Sequence, residues 1–547
     1  MSQRIISLCL SFLVSVSFLS VPALGQNKGL KDAETKKIAK LLGDLRAQPK
    51  YPASNKAVKK KKKVEKAFYD EIESLKKRYK DQDILSFVDN WVEIFSMVSA
   101  APKAKTPAGR GRVRKDSVFQ KVRGRDIGFE YAVYLPSKYK GTESWPVIVA
   151  LHDKGSTGDE YLREVWCNPK RIKKPVFDQF IFIAPTIGER TVGKSKRTAK
   201  YQKRIEPFSR LHRGGIALCL RDALEKYNID TNRMYLDGTG LGGESAAWIG
   251  VMQCKLWAGI ASRSARVAST KPFSRPEFLR NLRSQCPIMI CDRKNGPYST
   301  PEGKQDRQQI DHHTKVDKLP VHFKLYEPLP GPREVRLALG HQKHDPIHDA
   351  TKDIAAFFLK QKRNLYPKDL GYITYDDRSF SQTCWYVLDK ADANPSDGTI
   401  ASIEGKIDRE KNVATFTTHN VESFRIYFND LLFNLDNPVK IVVNDEEVAL
   451  KQIDRSLDYM LKYNLDNAVD PALVMVGEMH VAVKEKPAED KPGEGKAGEG
   501  KAGEGKAGEG KAGEGKAGEG KAGGSGAEKK GDDPKKDEAS KAKGKDK

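Results

Sequence analysis

The stretch Tyr235-Leu236-Asp237-Gly238-Thr239-Gly240-Leu241-Gly242-Gly243-Glu244 carries the most specific chemical pattern in the chain. An apolar strand runs into a glycine-rich turn, and a helix follows. That arrangement lifts one residue to the apex of a sharp turn, where a hydroxyl or thiol can be presented to a carbonyl carbon. Glycines on either side relieve crowding around a strained apex residue. With Gly238 and Gly242 as the flanks, the apex is Gly240, which has no side chain to attack with. Thr239 carries a hydroxyl, but it stands one residue off the apex and would need glycine where Leu241 stands.

Histidines supply a second pattern. His341, His344 and His348 lie near Asp345 and Asp349. His344 and His348 are four apart, a spacing that puts two imidazoles on one helix face as metal ligands require. Pro346 makes this segment a helix start, and the charged groups read as solvated, so neither a metal nor another cofactor is expected. His312 and His313 follow Asp311 in a charged, helix-like stretch and read as a surface pair.

The elements that must position these residues follow from hydrophobic patterning. Within 26–115, Ile38, Leu41, Leu42 and Leu45 repeat at helical spacing, as do Phe68, Ile72 and Leu75, and Phe87, Trp91, Ile94 and Phe95. The run Lys59 to Lys63 reads as a solvated face or hinge, and 101–114 as a linker. Over 116–362 strands and helices alternate. Strands are expected at Tyr131–Leu135, Val147–Leu151, Phe180–Ala184, Met234–Leu236, Ile288–Cys291 and Val321–Leu325. Helices are expected at Ile216–Tyr227, Ser245–Met252 and Asp349–Lys360. Short continuous apolar strands are those of a parallel sheet covered on both faces, so the pattern predicts a doubly wound, mostly parallel α/β domain. Residues 366–483 read as a small β-rich domain, with strands at Thr399–Ile407, Val413–Thr417, Phe424–Phe428 and Lys440–Val443 and a hairpin turn at Asn444-Asp445.

The turn and its surroundings resemble the Gly-x-Ser-x-Gly-Gly elbow of the α/β-hydrolase superfamily, in its esterase, polyhydroxyalkanoate-depolymerase and prolyl-oligopeptidase-like branch. Asn228 to Tyr235 resembles the segment leading into the elbow, and Leu256 to Ile260 the strand after the elbow helix. Val147 to His152 resembles the strand before the oxyanion loop, and Ala184-Pro185 also fits. The likeness spans about residues 118–362. It implies an α/β-hydrolase fold and a site made of Gly240 at the nucleophile position, His341 as base, and His152, Asp153, Gly155, Thr239 and Leu241 around the cleft. Several departures from the family pattern go with it. The family carries His-Gly where this chain has His152-Asp153, and a carboxylate there opposes the negative charge that an oxyanion hole stabilises. The family's acid falls at Gly296, leaving Asp292 as a displaced candidate. A histidine without nucleophile or acid has no triad to serve. The segments around Cys384 to Val387, Asn412 to Thr418 and Leu435 to Asn444 are similar to a β appendage found behind hydrolase domains of some exported bacterial proteins; Trp385 there reads as core.

Composition sets the wider frame. The 547 residues include 97 Lys and Arg against 73 Asp and Glu, a formal net charge of +24. The positive charge is spread over the N-terminal region, loops and tail without an arginine stripe among aromatics, so no specific nucleic-acid binding is expected. Arg4, the apolar stretch Ile5 to Val21 and the small residues Ala23 and Gly25 read as a signal peptide over 1–25, cleaved near Gln26, with no transmembrane segment thereafter. Cys9 lies mid-signal. The other cysteines, Cys167, Cys219, Cys254, Cys286, Cys291 and Cys384, are scattered, with Cys219 and Cys286 read as small buried hydrophobes. From residue 484 to 547 the chain is low in complexity, with Gly-Glu-Gly-Lys-Ala repeated from Gly493 to Ala522, the composition of a disordered tether. Its basic end suits weak contact with anionic surfaces. The expectation is a secreted or periplasmic pseudoenzyme that binds an ester, peptide or polymer of unknown identity. The alternative is an active ester or peptide hydrolase using an unconventional nucleophile or a metal around His341.

Overall fold

A computed structural model of the chain describes residues 29–49, 54–100, 107–122, 125–170, 172–186, 190–193, 200–202, 210–268, 276–327, 347–376, 381–394, 396, 398–466 and 470–483. The expected signal segment, His341, His344 and the repeat tail lie outside these residues. The chain divides into two units, residues 1–485 and 486–547, and the second lies wholly outside the described residues.

Three helices come first: α1 (Asp32–Arg46), α2 (Asn55–Arg78) and α3 (Val88–Ala100). Ser54 caps α2 by accepting the Ala57 N–H at 3.2 Å. Ile38 and Leu42 of α1, Phe68, Ile72 and Leu75 of α2, and Trp91, Ile94 and Phe95 of α3 are buried, the i, i+3, i+4 stripes expected from spacing. Lys59 to Lys63 lies inside α2, largely in solvent, and forms no hinge.

The central sheet has strands β1 (Val113–Val122), β2 (Arg125–Tyr134), β3 (Trp145–Leu151), β4 (Ile181–Pro185), β5 (Arg190–Gly193), β6 (Lys200–Gln202), β7 (Ile229–Thr239), β8 (Gly259–Arg263), β9 (Ile288–Arg293) and β10 (Val321–Tyr326). Their order is β10-β9-β8-β7-β3-β4-β2-β5-β6, with β1 paired to β2. The run from β4 through β3, β7, β8 and β9 to β10 is parallel, while β1, β2, β5 and β6 pair antiparallel. Val147, Val149 and Leu151 of β3 enter one core, and Ile148 and Ala150 enter the other. This two-residue alternation between two apolar layers is what a sheet covered on both faces requires. The covering helices are α4 (Gly158–Tyr161), continued by a π-helical turn at Leu162–Trp166, α5 (Lys174–Phe177), α6 (Arg210–Lys226), α7 (Leu241–Met252), α8 (Pro301–Val316) and α9 (Ala350–Leu359). The expected linker is shorter than its composition suggests, because Val113 and Arg114 already belong to β1.

From β3 the chain crosses to β4 on one side, and β7 returns on the other side before β8, β9 and β10 run outward. The carboxyl ends of β3 and β7 therefore flank the place where connections diverge, the crevice where open α/β sheets take their ligands.

Beyond α9, β11 (Asp369–Thr374), β13 (Ala401–Asp408), β14 (Val413–His419), β16 (Val439–Val443) and β17 (Glu446–Lys451) form one sheet. A second contains β12 (Tyr386–Ala391), β15 (Val421–Phe428) and β18 (Gly477–Ala482). Phe416 of the first and Phe424 of the second meet at 4.7 Å between ring centroids. The region is less purely β than its alternation suggests, since α10 (Leu457–Asp466) follows the hairpin. Trp385 is core: it is fully buried and donates to the Pro367 carbonyl at 2.6 Å. Arg46 of α1 donates to Asn464 at 3.0 Å and Tyr69 of α2 to Asp458 at 3.1 Å, so the helical layer is fastened to α10. Arg363, just after α9, donates to both Asp470 carboxylate oxygens at 2.6 Å in a buried ion pair.

The Asn444-Asp445 turn joins β16 to β17 with φ of 50° and 70°, the left-handed pair of a two-residue hairpin. Asn444 also accepts the Thr418 N–H at 2.9 Å and donates to its hydroxyl at 3.0 Å. Replacing Asn444 by alanine removes both bonds and disfavours the backbone, so a loss of about 1–2 kcal/mol is expected in chemical denaturation. Equal midpoints for variant and parent would show that the turn does not hold the hairpin.

The six cysteines among the described residues are free thiols. Five are buried and Cys167 is half-buried. Burial pushes the thiols upward, Cys384 to about 11 and Cys291 to about 12. Ellman's reagent is therefore expected to react fast with none of these six thiols in the folded protein and with all of them after denaturation. Fast reaction in the folded state would contradict the burial.

Candidate functional site

The switch-point crevice is built from two strand ends. β3 delivers His152 and Asp153, and β7 delivers Asp237 through Gly240. Helix α7 begins at Leu241, earlier than the Ser245 expected from its apolar pattern, because the glycines that weaken a helix pattern here form its first turn. Gly240 stands at the entry to that helix with φ +54° and ψ −119°, a conformation that residues with a side chain hold only under strain. The two flanking glycines are set by contact: a Cβ on Gly238 would meet Gly243 N at 2.8 Å, and one on Gly242 would meet His152 O at 2.6 Å. Strand, sharp turn and helix are thus in place around a bare apex.

The space that an apex side chain would enter is filled from across the crevice. A Cβ added to Gly240 would lie 2.5 Å from Cγ and 2.8 Å from Oδ2 of Asp153. Asp153 is buried, and its Oδ1 accepts the Leu241 backbone N–H at 2.9 Å. That N–H belongs to the residue after the apex, the donor which in an elbow of this kind faces a developing oxyanion. Sequence reasoning placed Asp153 near such a donor as a source of repulsion; in the structure it takes the donor itself. His152 is also buried, with Nδ1 2.7 Å from the Asp153 carbonyl. Gly155 follows at φ +87° in the turn after β3.

Thr239 does not stand in for a nucleophile. It is fully buried, and its hydroxyl lies 2.9 Å from the Tyr161 hydroxyl. Both belong to a polar network beneath the elbow. Tyr161 donates to Asp237 Oδ2 at 2.9 Å, Trp166 Nε1 donates to the same oxygen at 2.7 Å, and Arg263 Nε donates to Oδ1 at 2.7 Å. Arg263 also donates to the Thr351 hydroxyl at 2.7 Å and stacks 5.1 Å from the Trp166 ring. Burial disfavours charge on Arg263, but the adjacent Asp237 carboxylate outweighs it and raises its pKa. Burial and the Asp237 charge push the Tyr161 phenol well above its usual range. The network ties α4, β7, β8 and the start of α9 together under the apex.

Asp292, one residue before the end of β9, is fully buried. It accepts the Arg293 N–H and the Tyr298 N–H, each at 2.8 Å. A Cβ on Gly296 would meet its Cγ at 2.6 Å and Oδ2 at 2.7 Å, so the Asp292 carboxylate occupies the space an acid at 296 would use. His348 precedes α9, half-buried, and its carbonyl accepts the Thr351 N–H at 3.0 Å. His341 and His344 lie outside the described residues, so the expected base and the His344/His348 pair are not placed. His313 Nδ1 sits 2.8 Å from Asp317, away from these elements on α8.

The Asp237–Arg263 pair was missed from sequence, although a signal exists. Asp237 directly follows the apolar run Met234–Leu236, Arg263 ends β8, and the two strands are neighbours.

No family model matches the chain, and no curated protein matches it. Solved structures with some likeness include a thermostable esterase, 17% identical over 46% of this chain and 63% of that chain, with a TM-score of 0.33. A ferulic acid esterase is 15% identical over 45% of this chain and 97% of that one, with a TM-score of 0.33. An S-formylglutathione hydrolase from Staphylococcus aureus is 13% identical over 46% of this chain and 100% of that one, with a TM-score of 0.31. The chain thus spans less than two thirds of the thermostable esterase, and each likeness covers under half of this chain.

Proposed function

We propose that this chain is an exported pseudo-hydrolase: an α/β-hydrolase domain that keeps the elbow but not its chemistry, and serves in binding or scaffolding at the cell envelope or outside the cell. The observation that carries the reading is the Asp153 carboxylate in the space of the apex side chain, holding the Leu241 N–H. Nucleophilic catalysis needs a side chain at the apex, and Gly240 offers none. Stabilising an oxyanion needs a donor aimed at it, and loss of one such donor alone costs about 3–4 kcal/mol of transition-state stabilisation. Here that donor faces a carboxylate, which repels the charge it would otherwise receive. Thr239, the nearest hydroxyl by sequence, is tied to Tyr161 below the elbow.

The bound partner on this reading is an ester, peptide or polymer that the crevice retains without cleaving. Release through a cleaved signal peptide and weak attraction of the basic tail to anionic surfaces complete the proposal. Its test is hydrolysis of short-chain nitrophenyl esters by the mature protein beside a His341→Ala variant. No turnover above buffer is expected from either. Turnover by the parent that disappears in His341→Ala would overturn the reading in favour of an unconventional hydrolase.

A further inference from the structure

A second crevice lies away from the elbow, between α6, the end of α7 and the segment at Ser381–Gln382, with a volume of about 360 Å³. That is at the small end of ligand cavities, which run from about 300 to 1,000 Å³. Ile216 and Leu220 of α6 and Trp248 and Ile249 of α7 give it an apolar wall. Tyr372 closes one side, its hydroxyl donating to the Met252 carbonyl at 2.8 Å.

Two donors line this cavity with nothing to donate to among the described residues. Trp257 is 1% exposed, and its indole Nε1 has no hydrogen-bond partner. A buried N–H left unmatched is costly and uncommon in a native fold. Lys255, two residues earlier and half-buried, is in no ion pair among the described residues. Asp470, the carboxylate whose charge acts on Lys255, is already held at both oxygens by Arg363 at 2.6 Å. Two cations therefore face one carboxylate, leaving a net positive charge at the inner end. The other charged residues of its lining are exposed Arg221 and Asp466, and Arg213, which lies over the Trp248 ring at 4.8 Å.

We propose that this crevice is a binding site for a small organic anion with an apolar body. Its acidic head takes the Lys255 ammonium and the Trp257 N–H, and its body lies along Trp248 and Ile216. The site is independent of the elbow and stands whether or not the elbow is catalytic.

The charge state of Lys255 gives a second handle. Burial lowers its pKa to about 8, against the pull of Asp470; Arg363, Cys384 and Cys254 are the other ionisable groups around it. A bound anion favours the ammonium, so its pKa in the complex lies higher. Affinity is then complete below pH 8 and falls as pH rises through that value, by up to about tenfold per unit.

The probe is 8-anilinonaphthalene-1-sulfonate, compared by fluorescence titration of the full chain with uncharged N-phenyl-1-naphthylamine. One saturable site is expected, about tenfold or more tighter for the sulfonate. That preference should shrink several-fold between pH 7 and pH 9.5 and disappear in Lys255→Met. Equal affinity for charged and uncharged probes, or sulfonate binding unaffected by a Lys255→Met substitution that keeps the near-ultraviolet circular dichroism, would overturn the proposal. If Lys255→Met does not fold, the pH profile of the parent decides: a flat profile overturns the proposal and a fall through pH 8 supports it.

Discussion

Gly240→Ser is expected to destabilise the protein by about 2–4 kcal/mol, and the part of that loss that comes from the clash is expected to vanish when Asp153 is glycine as well. Two costs meet at this position. At φ +54° and ψ −119° any side chain holds a strained backbone, worth about 1–3 kcal/mol. The new Cβ also enters space held by the Asp153 carboxylate, 2.5 Å from its Cγ. The carboxylate cannot swing away freely, because it is buried and bonded to the Leu241 N–H. Asp153→Gly removes the obstacle but not the strain. The double variant should therefore be more stable than the sum of the single changes implies, with a coupling of about 1–3 kcal/mol. Urea denaturation of the four proteins measures it. Simple additivity would mean that Asp153 does not occupy the apex space in solution.

Breaking the ion pair beneath the elbow has the other large effect. Arg263→Met should cost about 3–5 kcal/mol, because it leaves the Asp237 carboxylate buried without its cation. Both side chains are fully buried, and the remaining donors to Asp237 among the described residues are the Trp166 indole and the Tyr161 hydroxyl. Methionine keeps much of the arginine stem's volume, so the loss reports charge more than cavity. Removing both charges, as Asp237→Asn with Arg263→Met, should recover part of the loss, since no unpaired charge is then left inside. Thermal unfolding distinguishes the two cases. A single variant as stable as the parent would show that the pair is dispensable to the fold.

How much of this was legible in the sequence differs between backbone and site. Continuous apolar runs such as Val147 to Leu151 identify strands covered on both faces, and that strand indeed lies inside the parallel run, between β4 and β7. Helical stripes such as Phe68, Ile72 and Leu75 were equally direct, since burial follows periodicity. Asn444-Asp445 was readable because few residues accept left-handed φ in succession. The start of α7 was not, because Gly242 and Gly243 lower helix propensity and only close packing explains them, of Gly242 against the end of β3 and of Gly243 against Gly238 and Arg263.

At the site, the bare apex was visible as Gly240, but its consequence was not. Periodicity places Asp153 at a strand end without saying that its carboxylate crosses to Leu241, a contact 88 residues away in the chain. Asp292 is a like case. Its displacement from the expected acid at 296 is a fact of sequence, while its return into the space beside Gly296 is a fact of three dimensions. The Lys255 crevice was invisible for the same reason, since α6, α7 and Gln382 meet only after folding.

The central claim is that the elbow presents no nucleophile. Intact-mass spectrometry of the folded chain after incubation with a fluorophosphonate tests it most directly, because such reagents phosphonylate activated hydroxyl nucleophiles and leave ordinary ones alone. An unchanged mass is the expected result. A single adduct mapped to the turn around Gly240, formed in the folded protein and lost in His341→Ala, would contradict it.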